Sequence, residues 1–119
     1  KASALEGPRE NRVYELRSYE SATEAYHKNK VEMFNAGGEV ALFDSLDFNA
    51  VFYASVISGS KMPNLIYMIT FSDLASQEAH WKSFVESSQW NELKAMEKYQ
   101  NNVSHIDKYL LYPTDYSDY

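Results

Sequence analysis

Met62-Pro63-Asn64-Leu65-Ile66-Tyr67-Met68-Ile69-Thr70-Phe71, followed at once by Ser72-Asp73 and then by His80-Trp81, is the stretch on which the fold turns. A Pro-Asn turn opens seven residues rich in β-branched and aromatic side chains, the composition of a buried strand. A polar segment with helical patterning then starts at Ser72-Asp73, so strand passes directly into helix. Upstream, Val51-Phe52-Tyr53-Ala54-Ser55-Val56-Ile57 has the same strand character within Asn49–Ser58, and Gly59 to Asn64 supplies a turn. Two such runs joined by a short Gly/Pro/Asn loop predict an antiparallel hairpin. Ser58-Gly59-Ser60 belongs to that turn and is no nucleophile elbow.

Working outward, Val13 to Tyr19 reads as the first strand, with Val13, Glu15, Arg17 and Tyr19 on one face and Tyr14, Leu16 and Ser18 on the other. Ser21, with Glu24 three residues on, reads as a capping box. The helix it opens carries Tyr26, Met33, Phe34, Val40 and Ala41 at helical spacing, is interrupted by Gly37-Gly38, and is expected to run to about Leu46. Whether the glycine pair marks a kink or a close approach is open at this level. The second helix starts near Asp73 and places Leu74, Trp81, Phe84 and Val85 on one stripe; Ser87-Ser88 breaks it, and Trp90, Leu93 and Met96 mark a short third helix. Val103 to Tyr112 supplies the last strand, which Pro113 ends. Residues 1–11 read as a linker and 12–119 as one domain.

Strand, helix, strand, strand, helix, strand is the split βαβ order of a ferredoxin-like α+β domain, a four-stranded antiparallel sheet with its helices on one face. Every strand has apolar character on both parities, so the face opposite the helices would leave a large apolar patch in water. A second sheet is therefore expected to lie against it.

Composition narrows the function. The chain has 119 residues, a formal net charge of −6 and no cysteine. Absence of cysteine removes thiolate zinc sites, iron–sulfur clusters and cysteine nucleophiles. Absence of a basic patch argues against nucleic acid and anionic membrane surfaces, and no window is apolar enough to span a membrane. Ten tyrosines suit ligand clefts and interfaces, although Tyr112, Tyr116 and Tyr119 fit equally well as decoration of a C-terminal tail.

The residues Val13-Tyr14-Glu15-Leu16-Arg17-Ser18-Tyr19, Met33-Phe34 with Gly37-Gly38-Glu39, Met62 to Met68, His80-Trp81 with Phe84, and Val103-Ser104 with Pro113-Thr114 resemble those of the NIPSNAP family of the dimeric α+β barrel superfamily. The resemblance implies two sheets packed into a closed barrel, by a homodimer or by an intramolecular tandem domain. Leu5-Glu6-Gly7-Pro8 before Arg12 is similar to the junction preceding the second domain of bacterial tandem members. With no initiating Met, the chain is accordingly expected to be the C-terminal domain of a longer bacterial protein, exported to the periplasm or beyond. Superfamily relatives include cofactor-free monooxygenases, haem-degrading enzymes and isomerases, and fold analogy does not choose among them.

The side chains that could carry chemistry are few. His27, His80 and His105 fall on different elements, with no carboxylate at a recognised ligand spacing, so no metal and no obligatory cofactor are expected. His27, in a Lys-rich stretch, reads as solvated. His80 beside Trp81 is the best candidate for a haem ligand or a general base, against the plainer reading of a half-buried His bonded to backbone that orients the Trp. Glu15 and Arg17 lie roughly 7 Å apart on one strand face, either as a structural ion pair at the dimer seam or as a polar anchor in a pocket, with structure favoured. The expected cleft between sheet and helices is lined by Glu15, Arg17, Tyr19, Tyr53, Tyr67, His80 and Trp81, and takes a small hydrophobic ligand. The alternative is a cofactor-independent monooxygenase or isomerase using Tyr67 and His80 for proton transfer. A pure protein-interaction module would instead need an exposed apolar surface beyond the seam.

Overall fold

The computed structural model describes residues 3–119. Strands β1 (Val13–Glu20), β2 (Asn49–Ser55), β3 (Asn64–Phe71) and β4 (His105–Leu111) form one antiparallel sheet in the order β2-β3-β1-β4. Helices α1 (Glu24–Phe34) and α2 (Glu39–Ser45) join β1 to β2, and α3 (Leu74–Glu86) and α4 (Ser88–Ala95) join β3 to β4. This is the ferredoxin-like order expected from the sequence. The β2–β3 hairpin is present, with a register irregularity between Ala50 and Phe52, and β2 ends at Ser55 rather than Ser58.

Register fixes the two faces. Arg17 opposite Tyr67, Tyr19 opposite Leu65 and Glu15 opposite Ile69 point toward the helices, where a core of aromatic rings gathers. Phe43 sits at its centre, within 6.4 Å of the rings of Phe34, Phe48, Tyr53, Tyr67, Trp81 and Phe84. Each fully buried ring of this kind contributes roughly 1.5–3 kcal/mol of apolar transfer. The opposite parity brings Leu16, Met68 and Tyr109 into one row and Phe52 beside Met68. Tyr109, Leu111 and Phe52 are exposed there, the uncovered apolar face that the alternation predicts. At one end of it the Tyr14 hydroxyl donates to the backbone oxygen of Tyr119, so the C-terminal segment is folded back onto the domain.

Several local expectations need correction. The cap of α1 is Thr23, whose Oγ1 accepts from the Tyr26 N–H at 3.2 Å. Ser21 instead donates to the Asn102 carbonyl at 2.6 Å, tying the end of β1 to the approach to β4. The long first helix is two helices. Gly38 has φ +91°, a left-handed conformation that glycine adopts freely. A Cβ on Gly37 would lie 2.5 Å from the Met33 carbonyl oxygen, so close approach and break coincide. On α3 only Phe84 of the expected stripe is buried; Leu74 and Val85 are exposed, Val85 where it lines an open cleft. Asp73 caps α3 and Ser87 caps α4, each accepting from a backbone N–H three residues on. His27 is buried rather than solvated, with Nε2 3.2 Å from Ser55 Oγ. Residues 9–11 form a 3-10 turn, and Arg12 Nη2 donates to the Leu5 carbonyl, which holds the lead-in against the domain.

Candidate functional site

Helices α1 and α3 pack over β3, and this leaves the inner face of β4 without a roof: Ile106 and Leu110 are exposed although their parity points them inward. The resulting gap is a cleft of about 570 Å³. Its walls are Trp81, Phe84 and Val85 of α3, Trp90 of α4, Val103 just before β4 and Ile106 within it. Its floor is polar. Glu15, Arg17 and Tyr19 of β1 line it together with Lys30 of α1 and Glu39 of α2.

The floor is a connected set of hydrogen bonds. Arg17 Nη1 donates to Glu15 Oε1 at 2.8 Å and Arg17 Nε to the Tyr19 hydroxyl at 3.0 Å, while the Tyr19 and Tyr67 hydroxyls lie 2.9 Å apart. The second oxygen of Glu15 accepts from Gln77 Nε2 at 2.9 Å and from the Trp81 indole at 2.5 Å. Gln77 and Trp81 are four apart on α3, so one helical face delivers both donors. The Arg17 guanidinium also stacks on Trp81, 4.2 Å from the ring centroid. Lys30 Nζ reaches Glu39 Oε2 at 3.0 Å and lies over the rings of Tyr19 and Phe34. All four charged residues are nearly sealed: Glu15 is 3%, Arg17 8%, Lys30 4% and Glu39 2% exposed.

Burial dominates the electrostatics. It pushes the Glu39 carboxyl above its ordinary range and the Lys30 amine below its own, and their mutual attraction only partly offsets each shift. It also raises the hydroxyls of Tyr19 and Tyr67, against the opposing field of Arg17. For Arg17 burial works against the charge, but Tyr67, Tyr19 and Glu15 together outweigh it and hold the guanidinium above its ordinary range.

Of the residues expected at a site, Glu15, Arg17, Tyr19 and Trp81 line the cleft. Tyr67 lies one layer beneath, bonded to Tyr19. Tyr53 lies beyond Tyr67 and faces a separate hollow of about 230 Å³ with Val31, Phe34 and Leu65; its hydroxyl has no partner among the described residues. His80 does not reach the cleft. Its ring sits 5.3 Å from Phe48 and 5.6 Å from Phe71, and Nδ1 lies 2.7 Å from the Ser76 carbonyl, the backbone-bonded arrangement of the plainer reading. The Glu15–Arg17 pair lies on the helix-facing side of the sheet, away from the apolar outer face.

Sequence reasoning missed Lys30, Glu39, Gln77 and Trp90 as lining residues. Lys30 had a signal: it is three and four residues before Met33 and Phe34, hence on the buried face of α1. His105 also has neighbours that its spacing did not suggest. Glu20, His105 and Asp107 present ligand atoms within 4.8 Å of one another on the outer face, where Lys61 already pairs with Asp107.

A ferredoxin-like α+β domain with a half-roofed cleft over a buried ionic floor defines the class of protein. The chain belongs to the NIPSNAP family, whose family model matches residues 14–118. Among solved structures it is similar to an uncharacterized NIPSNAP-like domain protein from Burkholderia xenovorans, with a TM-score of 0.80, 14% identity, and coverage of 91% of this chain and 90% of that one. It is similar to a NIPSNAP family protein from Agrobacterium tumefaciens C58, with a TM-score of 0.75, 17% identity, and coverage of 89% and 96%. A more distant likeness is to SnoaB, a cofactor-independent oxygenase from Streptomyces nogalater, with a TM-score of 0.57, 9% identity, and coverage of 87% and 94%. No curated protein matches the chain. No helix among the described residues is long and apolar enough to cross a membrane.

Proposed function

We propose that this domain is a binding module whose cleft between β4 and helices α3 and α4 holds a small, mainly apolar ligand, and whose outer sheet face is covered by the sheet of a second copy or of a tandem domain of the same family. The observation that carries the ligand reading is the cleft itself: aromatic and aliphatic walls around a volume of about 570 Å³, with a polar floor already fixed by hydrogen bonds. Pockets of this size, with apolar walls and a few placed polar groups, are the usual form of small-molecule sites. The oxygenase or isomerase alternative rests on the likeness to SnoaB, which concerns the fold alone. It assigns proton transfer to Tyr67, which lies beneath Tyr19, and to His80, which stands outside the cleft.

The test uses N-phenyl-1-naphthylamine, an uncharged apolar probe that fluoresces when removed from water. Binding to the purified chain is expected, with Ile106→Lys in the cleft wall weakening it at least about tenfold and Leu16→Lys on the outer face leaving it unchanged. The reverse pattern would place the probe on the outer face and overturn the ligand reading.

A further inference from the structure

Resting on that reading of the cleft, we propose that its ligand is a neutral apolar molecule bearing a carbonyl group, whose oxygen accepts from Nη2 of Arg17. The guanidinium spends Nη1 on Glu15 and Nε on Tyr19, and Nη2 makes no hydrogen bond among the described residues. That nitrogen is not sealed, in contrast to Nη2 of Arg9, and Arg17 lines the cleft. The floor therefore offers a charged donor already held in place, so an incoming acceptor gains a charge-assisted hydrogen bond without ordering a flexible side chain.

The balance of charge selects among acceptors. Among the described residues, Arg17, Lys30 and Lys108 face the cleft against Glu15, Glu39 and Glu78, three cations and three anions. No surplus positive charge remains to compensate a carboxylate moved out of water, and burying an unpaired ion is far more costly than burying a carbonyl that finds its donor. Transfer of the Lys30 proton to Glu39 leaves this sum unchanged. A cationic ligand meets the same balance: both Glu15 oxygens already accept and Glu39 is held by Lys30, so Glu78 at the rim would be its only unengaged carboxylate among the described residues. A hydroxyl would bring a donor of its own to a nitrogen that needs only an acceptor.

Three compounds of one shape separate the possibilities: 4-tert-butylacetophenone, 4-tert-butylethylbenzene and 4-tert-butylbenzoate. The chain has two tryptophans, and both line the cleft, so their indole N–H signals in a nitrogen-15 NMR titration report occupancy of this site. The ketone is expected to bind at least about tenfold more tightly than the hydrocarbon, the increment of a hydrogen bond to a charged group, and more tightly than the benzoate. The double change Glu15→Gln with Arg17→Met, which removes the donor without orphaning a charge, should bring the ketone down to the hydrocarbon's affinity. Equal binding of ketone and hydrocarbon to the unmodified chain, or tightest binding of the benzoate, overturns the carbonyl class and leaves the cleft reading standing. Indole signals that move with none of the three overturn both. The wild-type series decides even if the double variant does not fold.

Discussion

Truncating Arg17 to alanine leaves Glu15 beneath the cleft without its cation, and the structure sets the cost. The pair is a 2.8 Å contact between side chains only 10% and 4% exposed, so solvent screening discounts it little. Removing one member of a buried pair costs about 3–5 kcal/mol. The lower end applies here, because Gln77 and the Trp81 indole still donate to the other carboxylate oxygen. Loss of the guanidinium from the Trp81 face adds about 1 kcal/mol. A total near 4 kcal/mol corresponds to a fall in Tm of roughly 12–20 °C for a domain of this size.

The double change Glu15→Gln with Arg17→Met removes both charges and keeps the volume, so most of that loss should return, to within about 5 °C of wild type. Thermal melts followed by circular dichroism on the ligand-free chain measure all three proteins. Melting temperatures within a few degrees of one another would refute the structural role of the pair. A double variant as unstable as the single one would show that lost packing, rather than an orphaned carboxylate, carries the penalty.

Three further outcomes follow from other parts of the structure. Gly37→Ala places a Cβ 2.5 Å from one Met33 backbone atom and 2.8 Å from another, and backbone cannot yield as a side-chain tip would; Gly38→Ala meets no atom within 4 Å but must hold φ +91°. Both should destabilise in denaturant melts, the second by about 1–2 kcal/mol and the first by more, and a milder Gly37→Ala would contradict the close approach. Lys30→Met removes the attraction that opposes the burial of Glu39, so its folded form binds a proton more tightly than its unfolded form. The contribution of that proton is present at acid pH and is lost as pH rises above the ordinary carboxylate value of 4.5 through the raised folded value; stability of the variant should fall with pH there more steeply than wild type, and parallel curves would count against an unpaired buried carboxyl. Light scattering should return twice the chain mass of 13.7 kDa, with Leu16→Lys shifting the protein toward monomer; a wild-type monomer at micromolar concentration would rule out the second copy and leave a tandem domain to cover the face.

How far the sequence reveals such a molecule depends on the range of the information each feature needs. Strand parity is local, and alternation over Val13–Tyr19 was enough to put Glu15, Arg17 and Tyr19 on one face. The hairpin, the order of elements and the apolar outer face rest on the same short-range patterns. The Thr23 cap and the break at Gly37-Gly38 were blurred because neighbouring residues offered competing local solutions, Ser21 for the cap and a kinked continuation for the helix. The His80 side chain could not be placed from its neighbour. Adjacent helical residues differ by about 100° in direction, so Trp81 turns toward Arg17 while His80 turns toward Phe48 and Phe71.

The Lys30–Glu39 pair was the least legible part of the floor, because it depends on how α2 folds back after the glycine break and no periodicity encodes that angle. Yet it changes what the cleft can hold. Glu15 and Arg17 alone would read as one anchored cation awaiting an anion. With Lys30 and Glu39 beside them the floor is balanced, and Arg17 Nη2, which has no partner among the described residues, is better matched by a neutral acceptor than by a second buried charge.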